Sequence, residues 1–559
     1  SPDARASGGL VLGPTPAASR FARPDRQDSA VQAAQHNGSL NHRQIMVVYS
    51  GILLGMLLAS LDQTIVSTAL PRIVGDLGGL THLSWVVTAY LLASTASVPL
   101  YGKISDLYGR KVVYQFAIVS FLVGSTIAGA AQSMPMLIAG RGVQGLGGGG
   151  LISMAMIVIG DIIPPRERGR YQGYMGAVFA TSSVAGPLLG GFFTDQLTWR
   201  WIFFINIPLG LVTLAVVSIV MNIPLVRHER RIDYLGAALL VLAVTSLLLV
   251  TVWGGNEFDW VSPEIVGLAA FGLLVAGLFL RQETRAPEPI LPLNLFRDAV
   301  FRVSSSISFL LGFAMFGTIV FLPLYFQIVT GASATKSGLL ALPMVGGLMG
   351  CSILSGQITS RTGRYRIFPI LGGAIASLGL LLLTRLNVDT SRVESSIYIF
   401  VFGSGVGLMM QTLILATQNA VARPLMGVAT SGVTFFRSMG ASFGVATFGT
   451  IFANRLDYYV PRNVPAEDLQ KLGSPAGSDL GRSRAAIEAL PDIVRSGVIE
   501  SFADALRVAF IFAVPIALLT FLLAWTLKEL PLRTTTAFVE QTEGAADPEP
   551  LERPLPAEF

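Results

Sequence analysis

Fourteen apolar runs, each long enough to cross a bilayer, leave this chain of 559 residues few folds to choose from. A helix of about 20 residues covers the roughly 30 Å of hydrocarbon at 1.5 Å per residue. Inside that layer every backbone amide needs an internal partner, which a helix supplies within one segment. The runs are 45–70, 83–102, 112–131, 136–160, 171–193, 201–222, 234–253, 263–281, 303–328, 337–357, 366–386, 396–418, 427–453 and 504–527. Only 13% of the residues are charged and the mean hydropathy is +0.62, whereas about a quarter of a soluble domain is charged. An all-α integral membrane protein is expected. The net charge of +5 does not indicate nucleic acid, because the basic residues lie singly or in threes between apolar runs. Cys351 is the single cysteine and the four histidines are not clustered, so neither an internal disulfide nor a metal site is expected.

Basic residues set the orientation. With the N-terminus in the cytoplasm, the loops assigned inside carry 17 Lys or Arg, against 5 outside when the long loop is set aside. That bias predicts a multi-pass protein of the plasma (inner) membrane with both termini cytoplasmic. Residues 1–42 and 528–559 lack apolar periodicity and are expected to be disordered cytoplasmic tails. No cleavable signal pattern is seen before the first span, and the opening Ser1 suggests a trimmed start. The sizeable outside loop, 454–503, contains a stretch with amphipathic helical spacing.

The chain repeats itself. "GKISDLYGR" at 102–110 aligns with "GQITSRTGR" at 356–364, and the same offset of 254 lays "GPLLGG" at 186–191 on "GASFGV" at 440–445. Both copies of the first motif lie on the cytoplasmic side, so the halves are parallel repeats about an axis along the membrane normal. The spans then divide into an N-terminal six-helix bundle (45–222), a two-helix linker pair (234–281) and a C-terminal six-helix bundle (303–527).

Several motifs carry candidate chemistry. In "GKISDLYGRK", Gly102 and Gly109 permit a tight turn while Asp106, Arg110 and Lys111 can bridge helix ends as a conformational latch. Arg110 and Lys111 also satisfy the positive-inside bias, and spacing alone does not separate the two roles. The repeat favours the latch, with Gly363 and Arg364 as its second copy, where Ser360 replaces the acid. In "GPLLGG", Pro187 removes a backbone hydrogen bond while Gly186, Gly190 and Gly191 permit a kink or close packing. "GLGGGG" after Arg141 is not a phosphate loop, since no Lys-Ser/Thr follows, and no GxxxxGK[ST] motif points to an ATP motor.

One carboxylate, Asp62, falls well inside a span. Asp62 lies about 12 Å and Arg141 about 8 Å from the outer ends of their spans, depths compatible with pairing. An ionised acid in hydrocarbon must face the bundle interior, pair or be protonated. Burial favours the neutral acid and an arginine partner favours the carboxylate, so a pair that breaks with conformation would carry protons; a permanent structural pair is the alternative. Arg437 is a second buried cation with no evident acid opposite, to be satisfied by backbone carbonyls or a bound anionic group. The scarcity of acids favours lipophilic neutral or monocationic substrates. Tyr90, Gln144, Phe313, Phe316, Tyr325, Gln327, Met410 and Gln411 are the candidates to line their pocket, although such residues also serve as packing.

These motifs, in order over about residues 45–530, resemble the fourteen-helix drug:proton antiporters of the major facilitator superfamily. The carrying segments are "LDQTIVSTALPRI", "GKISDLYGRK", "RGVQGLGGGG", "GPLLGG", "WRWIFFINIPLG", "YFQIVTGASATKSGLLALP" and "GVATSGVTFFRSMGASFGVATFG". The resemblance implies a 6+2+6 major facilitator fold whose bundles rock to export lipophilic drugs, as in antibiotic resistance, in exchange for protons. It gives "GPLLGG" an antiporter role and implies no cofactor beyond the proton gradient; a monomer is expected. One proton falling through 100 mV yields about 2.3 kcal/mol, roughly a fifty-fold gradient of a neutral substrate. Export of an endogenous lipid, siderophore or antibiotic would share this fold and coupling. A membrane-embedded sensor or enzyme would need a signalling domain or catalytic constellation that is not visible.

Overall fold

A computed structural model describes residues 42–77, 83–163, 165–221, 233–255, 258–332, 334–422, 425–465, 487 and 490–533. The tail expected over 1–42, apart from its last residue, and the distal part of the C-terminal tail lie outside them. The described residues form sixteen α-helices. In the first half these are α1 (His42–Leu77), α2 (Leu83–Tyr108), α3 (Arg110–Gly129), α4 (Met134–Ile162), α5 (Pro165–Gln196), the short α6 (Trp201–Phe204) and α7 (Asn206–Val220). The two helices expected as a linker pair are α8 (Tyr234–Trp253) and α9 (Pro263–Glu283). The second half comprises α10 (Ala299–Leu324), α11 (Ala334–Leu340), α12 (Leu342–Thr362), α13 (Ile367–Leu383), α14 (Arg392–Ala420), α15 (Met426–Asn463) and α16 (Asp492–Ala524).

Ten helical stretches among the described residues are long and apolar enough to cross a membrane, and α13 is apolar but shorter. The long helices outside that set are α2, α5 and α15. Each of them packs against the other half: α2 on α15, and α5 on α12. A helix covered by protein does not need the apolar surface that lipid demands. The two contacts are equivalent under the repeat, which exchanges α2 with α12 and α5 with α15.

Two sequence expectations change. Residues 492–503, assigned to the outside loop, open the 33-residue helix α16, and α15 runs on to Asn463, so the loop is shorter than 454–503. The later part of the amphipathic stretch expected there lies in α16, and most of its earlier part lies outside the described residues. Residues 528–533, assigned to the tail, are bonded to the body: Asn419 Nδ2 donates to the Pro531 carbonyl at 3.1 Å, and the Arg533 amide to Asn419 Oδ1 at 3.0 Å.

Candidate functional site

Asp62 is fully enclosed, and its carboxylate is the hub of a network joining four helices. Arg141 Nη1 of α4 donates to Asp62 Oδ2 at 2.6 Å, while Gln144 Nε2 and Asn206 Nδ2 donate to Oδ1 at 2.7 and 3.0 Å. Ser125 Oγ of α3 accepts from the same two amides at 2.9 and 2.8 Å and donates to the Phe203 carbonyl at 3.2 Å. Arg141 also donates to Gln144 Oε1 at 2.7 Å and to the Val86 carbonyl at 3.1 Å, and its guanidinium lies 4.3 Å from the Tyr90 ring centroid. Charge-assisted bonds in so dry a place are strong, and any change in the charge of Asp62 must reorganise all of them.

The glycines after Arg141 allow α4 to sit this close to its neighbours. A Cβ on Gly145 would stand 2.4 Å from the Tyr90 carbonyl, and one on Gly147 2.4 Å from the Phe121 amide nitrogen. The helix therefore presents bare backbone to α2 and α3, which brings Arg141 and Gln144 within reach of Asp62 on α1. Asn206 and Ser125 escaped the sequence reading because neutral polar residues in spans carry no signal of their own; the adjacency of Asn206 to the break at Ile205 is the one clue available.

The side where the Lys/Arg-rich loops lie, here the basic side, is closed by contacts between halves. Gly109 turns the chain between α2 and α3 at φ +90°, whereas Gly102, expected to share that turn, sits inside α2 against Ser431 of α15. Its lack of a side chain serves close approach. Arg110 pairs with Asp106 and with Asp161 of α4, each at 2.6 Å, and Lys111 follows in the first turn of α3. Asp161 stands one residue from the end of α4. A Cβ on Gly427 would meet Asp106 Oδ1 at 2.5 Å, so this acid lies against the first turn of α15, where the helix dipole favours negative charge. Beside it, Gln418 of α14 joins both halves: it accepts from Arg168 of α5 at 3.1 Å and donates to the Met156 carbonyl of α4 at 3.2 Å and to Thr430 of α15 at 3.1 Å. In the second copy, Gly363 turns at φ +73° and Arg364 is exposed.

"GPLLGG" lies in α5, which runs as one helix through it. A Cβ on Gly186 would stand 2.1 Å from Thr64 Oγ1 of α1, and Thr64 itself donates to the Ser182 carbonyl at 2.9 Å. Gly190 is buried and Gly191 has open space beside it. The motif thus abuts α1 within a turn of Asp62.

A family model described as Major Facilitator Superfamily matches residues 52–445. The chain belongs to this superfamily. It is 42% identical over 486 residues to an uncharacterized MFS-type transporter of Mycobacterium tuberculosis, covering 87% of this chain and 70% of that protein. It is 39% identical over 420 residues to the multidrug transporter protein MdtP of Bacillus subtilis, covering 75% and 77% of the two chains. The structure of the proton:xylose symporter XylE bound to 6-bromo-6-deoxy-D-glucose superposes with a TM-score of 0.61 at 13% identity, over 91% of this chain and all of that one. The protein is a transporter, not an enzyme.

In this major facilitator chain the eight residues proposed to line a pocket divide. Tyr90 and Gln144 belong to the Asp62 network. Phe313, Tyr325 and Met410 are in the hydrophobic core of the second half, with Phe316 packed against it; Tyr325 donates to the Asn387 carbonyl at 2.8 Å. Gln327 donates to Ser337 at 3.2 Å. Gln411 is buried with its Oε1 unpartnered.

Proposed function

We propose that the chain is a proton-coupled exporter of lipophilic compounds in the plasma membrane, with the basic side and both termini in the cytoplasm. Taking α6 with α7, and α11 with α12, as single passes gives a fourteen-span, 6+2+6 transporter. The observation that carries the proposal is the fully enclosed Asp62 held by Arg141, Gln144 and Asn206. A proton arriving on Asp62 removes the charge that holds Arg141, leaving the guanidinium to the Gln144 amide, the Val86 carbonyl and the Tyr90 ring. The first helix is then free to shift. Ser60 and Thr64 couple α1 to Ser182 of α5, and α5 packs on α12 of the other half, so the shift reaches the surface between the halves. The closed basic side corresponds to the conformation facing outward, which takes up the proton; release follows once that side opens. Proton release to the cytoplasm and substrate release outside complete the exchange.

The test uses inverted vesicles with an imposed proton gradient and a panel of neutral, cationic and anionic lipophilic dyes. Asp62→Asn is expected to abolish gradient-driven uptake of any dye the native protein moves. Unchanged uptake would leave the network a purely structural ion pair.

A further inference from the structure

The second half buries an arginine of its own, and among the described residues it has no partner. Arg437 of α15 is 7% exposed, makes no hydrogen bond or ion pair and has no charged group near it. The contrast with Arg141, which is bonded to Asp62, Gln144 and Val86, is complete. Gln411 of α14 is 3% exposed and likewise unpartnered, with Oε1 lacking a donor. The two occupy one level of the molecule. Thr430 of α15 and Gln418 of α14 are joined at 3.1 Å. Arg437 and Gln411 each lie seven residues from that pair, away from the basic side; seven residues are two turns, or about 10.5 Å, which returns to the same helix face. Arg437 is eleven residues into α15, which at 1.5 Å each puts it about halfway across the hydrocarbon.

An unpaired guanidinium at that depth is unfavourable, and arginine does not escape by losing its proton. Its planar fork of five N–H donors matches a carboxylate or phosphate, and in a dry site such a bond is strong. The amide of Gln411 adds a donor and an acceptor at the same level. The scarcity of acids that favoured neutral or monocationic substrates counts equally against an internal partner for this cation.

We infer that Arg437 and Gln411 form the receiving site for the anionic head group of an amphiphilic substrate, with a carboxylate as the best match. This rests on the export reading above and names its substrate class. The two buried arginines then divide the work: Arg141 senses the proton on Asp62, and Arg437 holds the cargo. An anion leaving as a proton enters moves charge favourably on both counts when the cytoplasm is negative, so voltage drives this exchange harder than that of a neutral compound.

The experiment measures binding first, so that it does not depend on transport. Purified full-length protein in neutral detergent is titrated with dansylaminoundecanoic acid at a pH where the acid is ionised, and with its methyl ester. The native protein is expected to bind the acid at least tenfold more tightly than the ester. Arg437→Met is expected to bring the two within about twofold, with a cooperative melting transition reporting a folded protein; Arg437→Lys keeps part of the preference, and Gln411→Leu weakens it. A native protein with no preference, or a preference that survives Arg437→Met, overturns the site. Displacement of the acid by phosphatidylglycerol at stoichiometric levels would make a lipid the occupant, and displacement by inorganic phosphate a small anion; either overturns the substrate assignment. The same probes in phosphatidylcholine vesicles test the export reading separately. Selective binding without proton-driven uptake leaves the site standing and removes that reading.

Discussion

The corner between α2 and α3 and the corner between α12 and α13 occupy the same place in a 254-residue repeat, yet different forces hold them. At the first, Gly109 makes the turn and Arg110 is clamped between Asp106 and Asp161 at 2.6 Å each. At the second, Gly363 makes the turn and the neighbouring backbone is tied to the end of the chain. The Tyr365 and Arg366 amides donate to Glu529 Oε1 at 3.0 and 3.4 Å, and Tyr365 Oη donates to the Lys528 carbonyl at 3.1 Å. Burial pushes the Tyr365 phenol above its ordinary value, which keeps it a donor. The charged corner touches the other half through Asp106 at Gly427 of α15, so the proposed rocking of the halves would make or break its contacts. The second corner bonds to its own half and need not change. Buried charge follows the same division: at the repeat offset Asp62 falls on Phe316 and Arg141 on Ser395, while among the described residues of the second half Arg437 is the one buried charge.

If the first corner is the moving one, substitutions at equivalent positions should differ sharply. Arg110→Ala strands Asp106 and Asp161 without their shared cation; breaking a largely buried pair costs about 3 kcal/mol or more, so gradient-driven transport should fall at least tenfold. Arg364→Ala, at the matching position, should change transport less than twofold. Equal losses at the two sites would erase the distinction. Next in size is Gln418→Leu, which removes the bonds from α14 to Arg168 and Met156 across the halves. At about 1 to 2 kcal/mol in all, it should raise the labelling rate of cysteines placed behind the basic side roughly tenfold. The smallest effect belongs to the strap at the second corner. Glu529→Gln should lower the melting temperature by a degree or two and leave transport unchanged, as scanning fluorimetry beside the uptake assay would show.

Much of this was legible in the sequence because a bilayer leaves so few options. The span expected over 234–253 is α8, and an acid and an arginine at compatible depths pair at 2.6 Å. What escaped were contacts that depend on packing direction. Asn206, Ser125 and Gln418 are neutral polar residues whose roles appear only once their helices are placed. Asp161 was hidden by lying at a helix end, where acids are ordinary. Gly102 and Gly109 look alike in sequence, yet one packs and the other turns.

In the proposed mechanism the charge on Asp62 decides whether the basic side is closed. That dependence is tested most directly by spin labels on Tyr108→Cys and Arg361→Cys, exposed residues on that side of the two halves, with Cys351→Ser in the background. The label separation is then measured by pulsed electron resonance as the pH is lowered. The native protein should hold the short separation at alkaline pH and shift toward a longer one on acidification, and Asp62→Asn should show the longer one throughout. A mutant that keeps the short separation, or follows the same pH dependence as the native protein, would contradict the account.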